Sequence, residues 1–184
     1  AKTISFVAGT NTWNAYNNGL RSMNVQSLAF DTSDPGILYA GLGEGVGIFK
    51  STNGGILWEE INNGINIICP SYISPIGKIP IGITSENANI KFNSNLNYND
   101  IPWTSILDIA IDPTNPDIIY IVDKSTGVYV SFNGGGEWYQ ISKGLLTKSI
   151  TCIDISGNGE VVYVGTNGRG VYKLVLGKNK VPQI

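Results

Sequence analysis

Apolar and polar residues alternate along three stretches of the chain, starting at Val25, Ile106 and Ile150. A period of two marks a β-strand with one face buried. In each stretch a turn follows: DTSDPG, DPTNPD or SGNGE. Next comes an apolar, β-rich run that holds Tyr39, Tyr120 or Tyr163. A glycine-bearing turn leads on into GIFK, GVYV or GVYK. In the first two stretches an NGG turn opens a fourth strand at Trp58 or Trp138. Short β-branched and aromatic runs between Gly, Pro and Asn turns predict antiparallel strands throughout.

The fourth-strand region carries the clearest repeat. STNGGILWEEINNGI (Ser51–Ile65) and SFNGGGEWYQISKGL (Ser131–Leu145) share Ser, Asn, Gly, Gly and Trp, and a glycine stands six residues after each Trp. TWNAYNNGL (Thr12–Leu20) repeats only the second half. Four strands in about forty residues is the period of a propeller blade. The expected fold is all-β, a propeller-like array of four-stranded blades that is incomplete within one chain. Residues 1–184 are expected to form one domain with units at about 1–20, 25–65, 106–145 and 150–176. An insert, 66–104, breaks the period. It has strand-like pieces around Tyr72, Ile81 and Ile90 and is expected to be an inserted meander. The first unit is expected to hold a strand over Lys2–Val7 and another over Trp13–Tyr16.

The repeat resembles the Asp-box, or BNR repeat, Ser-x-Asp-x-Gly-x-Thr-Trp. Ser51, Asn53, Gly55 and Trp58 match it, as do Ser131, Asn133, Gly135 and Trp138. Asn stands for the Asp in both, and Leu57 and Glu137 stand for the Thr. The surrounding text is similar to propellers of sortilin-like proteins, xyloglucanase-type glycoside hydrolases and photosystem-assembly factors. That resemblance implies a structural role for the box, at the outer hairpin and away from the central site. Physically, Asn and Gly take positive φ in tight hairpins, Ser and Asn side chains bond turn amides, and the Trp covers the turn.

Composition narrows the function. Net charge is −2 and 14% of residues are charged, with two arginines. Nucleic-acid binding, which needs clustered Lys and Arg, is not expected. No apolar run approaches the roughly 18 residues of a membrane span. With no His and two distant cysteines, Cys69 and Cys152, no metal, cofactor or activated thiol is expected. The two cysteines can pair or stay free. The chain starts at Ala1, which suits a mature secreted protein or a trimmed one, and an extracellular or cell-surface location is expected.

Few residues suggest chemistry. GLGEGVG (Gly41–Gly47) follows a strand, as phosphate loops do, but leads into another strand, so it reads as a hairpin turn. Asp31 and Asp112 fall in DP-type turns and read as turn caps. Asp108 and Asp154 lie on expected innermost strands, where they can face a channel, bind a ligand or act as an acid/base pair. Trp103, beside the insert, offers an aromatic platform for a sugar ring or a partner. The resemblance to sialidases would require three arginines, and the chain has two. The DxGG-type segment of xyloglucanases is not visible.

The ends carry the main functional expectation. The Trp13 and Tyr16 segment begins the array in mid-blade, and Val171, Tyr172 and Leu174 end it one strand short. Unpaired edges are templates for another chain. The expected function is non-enzymatic: a structural or assembly protein whose blades are completed between subunits, as a ring or a filament. The alternative is a carbohydrate-binding module or part of a glycoside hydrolase propeller. The same pattern suits a stretch of a longer propeller.

Overall fold

The computed structural model describes residues 13–65, 79–81, 91–93 and 104–177. Among these residues all regular structure is β. The first sheet runs β1 (Val25–Phe30), β2 (Leu38–Leu42), β3 (Gly47–Ser51) and β4 (Glu59–Glu60), each strand antiparallel to the next. Two short strands, β5 (Ile79–Ile81) and β6 (Lys91–Asn93), pair within the insert. The second blade repeats the first order with β7 (Ile106–Ile111), β8 (Ile119–Asp123), β9 (Gly127–Ser131) and β10 (Tyr139–Gln140). The third has β11 (Ile150–Ile155), β12 (Val161–Thr166) and β13 (Gly170–Val175).

Buried carboxylates shape the β1–β2 and β7–β8 turns. Asp31 Oδ1 accepts bonds from the Ser33 amide and hydroxyl, both at 2.7 Å. Asp112 Oδ1 does the same for Thr114, at 2.8 and 2.7 Å. The DP turns therefore close on an Asx motif that frees neither strand end to fray. Each first strand also carries a register break one residue in, before Ser27, Asp108 and Cys152. A bulge repeated at one place bends all three first strands alike.

The blades stack face to face, and the hydrophobic core lies between them. Tyr39 and Ile48 of the first blade meet Ile109, Ile119, Ile121 and Trp138 of the second. Tyr120, Val122, Val128 and Val130 of the second meet Val162 and Val164 of the third. β8, covered on both faces, is buried at all five positions. β12, the matching strand of the third blade, is buried only at Val162 and Val164, because one face alone is covered. Continuous and alternating patterns thus report how many neighbours a strand has.

One expectation changes and others fall outside view. Residues 13–16 form no strand. A strand needs a ladder partner, and the one expected for this segment, the Val171–Leu176 strand, is that of another copy. The strand expected over Lys2–Val7 lies outside the described residues. So do Cys69, Tyr72 and Trp103.

Candidate functional site

The Ser51 and Ser131 turns are built alike. Ser51 Oγ accepts a bond from the Gly55 amide at 2.9 Å and donates to Asn53 Oδ1 at 2.9 Å, and Asn53 Oδ1 accepts from the Leu57 amide at 2.9 Å. Ser131, Gly135, Asn133 and Glu137 repeat this at the same distances. Asn does the acceptor work through its carbonyl oxygen, so a carboxylate is not required there. Both serines are buried.

The tryptophans that follow reach across to the preceding unit. Trp58 donates its indole N–H to the Tyr16 carbonyl at 2.9 Å and its backbone N–H to the Asn18 carbonyl at 2.9 Å. Trp138 donates in the same way to Ile61, at 2.7 Å, and Asn63, at 2.9 Å. Gly19 and Gly64 lie under these clasps at φ +95° and +90°. A Cβ on either would collide with the Trp58 or Trp138 carbonyl. Glycine is therefore needed twice over, for its backbone and for its absent side chain.

Further contacts tie the first two blades together. Tyr39 Oη and Lys50 Nζ both donate to the Gly134 carbonyl, at 3.3 and 2.9 Å, so the first blade grips the Ser131 turn of the second. Lys50 also lies 5.3 Å from the centre of the Tyr39 ring. Burial, with Asp31 and Asp117 nearby, pushes the Tyr39 phenol up to about 12. Burial also pushes the Asp31 carboxyl up, but its bonds to Ser33 and Asp34, with Lys50 nearby, outweigh this and hold it below its ordinary range. On the inner strands, Ser27 Oγ donates to the Ile106 carbonyl at 3.0 Å.

The acidic candidates separate. Asp108 accepts from the Ile109 amide at 3.0 Å and from the Ile153 amide of the third blade at 2.9 Å. It occupies the place of Ser27 and links inner strands as Ser27 does. Asp154 is exposed and accepts from the Ile155 amide at 2.8 Å. Cys152 is an exposed free thiol. Among the described residues no group of three or more His, Cys, Asp or Glu is placed to hold a metal ion. Among the described residues there is no helix long and apolar enough to cross a membrane.

The two ends of the stack are different in kind. Trp13 is fully exposed, while Trp58 and Trp138, at the same place in the repeat, are 6% and 2% exposed. Leu28 and Phe30 leave β1's outward face uncovered, and Val171 and Val175 do the same on β13. Between the second and third blades lies a cavity of about 190 Å³, lined by Ile141, Lys143, Leu145, Val162, Tyr172 and Leu174 among others. Leu174 and Leu176 stand where Ser131 and Asn133 stand in the second blade, so the third strand runs straight on without the turn. The buried Tyr120 hydroxyl, matching Tyr39, has no hydrogen-bond partner among the described residues. Burial and Asp112 push this phenol up to about 12.

The sequence pattern marked the turns but not Lys50, Tyr39, Ser27 or the cavity. Only the repeated NNG of Asn17–Gly19 and Asn62–Gly64 signalled that the fourth segments receive something.

No family model matches the sequence, and no curated protein matches it. Solved structures do. A YCF48 bound to D1 peptide superposes with a TM-score of 0.51 at 16% identity, over 85% of this chain and 38% of that one. YCF48 from Cyanidioschyzon merolae gives 0.50 at 14% identity, over 84% and 38%. A GH74 xyloglucanase from Xanthomonas campestris gives 0.47 at 17%, over 87% and 20%. All are β-propeller proteins, and the two YCF48 matches show that the chain has that fold. It spans about a fifth to two fifths of their lengths.

Proposed function

We propose that this chain is a non-enzymatic building block of an extracellular or cell-surface assembly, in which blades left open in one copy are completed by another. Its Ser51–Trp58 and Ser131–Trp138 turns act as Asp-box repeats with a purely structural role. The observation that carries this reading is the contrast between Trp13 and its two equivalents. Trp58 and Trp138 each close a blade junction and are buried, whereas Trp13 projects fully into solvent. A large exposed aromatic backed by Tyr16, with Leu28 and Phe30 bare nearby, marks a contact surface. Apolar β13 edge residues await cover at the opposite end.

Partners in this reading are further copies of the chain, without nucleic acid, cofactor or metal. The carboxylates also favour a structural role: Asp108 engages both oxygens with backbone amides, leaving no poised acid/base pair with Asp154.

Light scattering on a sizing column tests the proposal. The chain should elute as a dimer or larger than its 19.7 kDa monomer, and deletion of residues 1–13, which keeps Tyr16 and Asn18, should leave only the shortened monomer. A full-length chain that stays a monomer at high concentration would sink the reading.

A further inference from the structure

We infer that the junction between copies repeats the junction between blades, with Trp13 of one copy seated in the groove between the second and third blades of the next. The inference rests on the assembly reading above and adds its register.

The repeat supplies the geometry. The acceptors of each clasp stand three and five residues after the preceding Trp: Tyr16 and Asn18 after Trp13, Ile61 and Asn63 after Trp58. The same step from Trp138 reaches the carbonyls of Ile141 and Lys143. The glycine under each clasp stands one residue further on, which gives Gly144. Its φ of +89° matches Gly19 and Gly64. A Trp carbonyl crowds the Cβ position of those two glycines, yet nothing lies within 4 Å of the same position at Gly144. The groove is therefore continuous with an interface used twice within the chain and shaped for the same side chain.

The strand register agrees. β4 pairs Glu59 with Lys50 and Glu60 with Phe49, and β10 pairs Tyr139 with Val130 and Gln140 with Tyr129. Counted from Gly47, Gly127 and Gly170, the equivalent partners on β13 are Lys173 and Tyr172. Asn14 and Ala15 of the incoming copy would lie opposite them, with the Trp13 indole turned into the groove. This would set Val171 and Val175 of one copy against the bare Leu28 and Phe30 of the other.

The described residues hold three blades, fewer than the four to eight with which propellers close, so these blades alone do not bring Trp13 round to their own groove. Two copies of this three-blade stack joined head to tail at both ends make six, the one multiple of three within that range. The structure thus points to a two-chain ring rather than a filament.

Two variants test this. Trp13→Ala removes the knob but leaves the groove; Leu174→Glu spoils the groove but leaves the knob. Each alone should elute at 19.7 kDa, and an equal mixture should form one junction and elute at twice that mass. If the wild type is a monomer, the assembly reading and this inference fall together. If the wild type assembles and Trp13→Ala assembles unchanged, only this inference is overturned. Two monomeric variants that do not complement would overturn the head-to-tail register. As a check independent of the folding of Leu174→Glu, excess peptide GTNTWNAYN should dissociate the wild-type particle at least tenfold more effectively than its Trp→Ala analogue. Equal potency of the two peptides would overturn the inference.

Discussion

At the scale of single residues, the same side chain has different value in neighbouring blades. Tyr39 donates to Gly134 across a junction, whereas the Tyr120 hydroxyl is buried without a partner among the described residues. Tyr39→Phe should therefore lower stability by about 0.5–1.5 kcal/mol. Tyr120→Phe should be neutral or raise it by about 1 kcal/mol, since it removes a buried unsatisfied group. Urea midpoints of the two variants measure the contrast. Ser131→Ala strips the Gly135 amide of its acceptor in a buried turn and should cost about 1–3 kcal/mol by the same measurement. Alkaline pH tests both phenols together. Each has a folded pKa of about 12 against about 10 unfolded, so the folded state holds the extra protons. Their contribution is complete below pH 10 and is lost as pH rises from about 10 to about 12. The wild-type midpoint should fall over that range, and the Tyr39→Phe/Tyr120→Phe double variant should fall less.

At the scale of elements, the clasp glycines make the cleanest comparison. Gly64→Ala forces a Cβ into the Trp138 carbonyl and also takes a residue with φ of +90° out of glycine. Within one copy Gly144→Ala carries only the backbone penalty, about 1–2 kcal/mol. Thermal unfolding in the monomeric Trp13→Ala background should show Gly64→Ala as the more damaging, and equal losses would mean that the Trp138 clasp contributes little. Much of this level was readable from the chain. Alternation, DP turns and the NGG spacing marked the strands of all three blades because each signal is local. The Trp13–Tyr16 strand did not form, because an edge segment takes its state from a partner. The roles of Asp108, Lys50 and Ser27 were not legible either. Each bonds a backbone carbonyl or amide of another blade, and backbone groups leave no mark in a sequence. Asp108 looked like channel chemistry, yet Ile153 holds its free oxygen.

At the scale of the whole molecule, the stack has two sticky ends and a covered middle. β8 is buried throughout while β12 alternates, so the end blade has the composition of a half-exposed sheet. Val171, Val175, Leu28 and Phe30 nonetheless remain exposed. A chain that stays a monomer through these surfaces would expose them to every other copy, and solubility should fall steeply with concentration. Covering both ends in a closed particle removes that liability. A Trp13→Ala variant should therefore precipitate at lower concentration than the wild type, measured as the turbidity threshold.

The direction of the clasps has a consequence for how the molecule is made. Trp58 bonds to residues 16 and 18, and Trp138 to residues 61 and 63, so every donor meets acceptors that left the ribosome earlier. Each blade can dock on its predecessor as synthesis proceeds, with no waiting. In the proposed ring the third clasp inverts that order. Its donor, Trp13, precedes its acceptors, Ile141 and Lys143, in the chain. That contact can form only once one copy has been synthesised past its third blade, and it joins two chains.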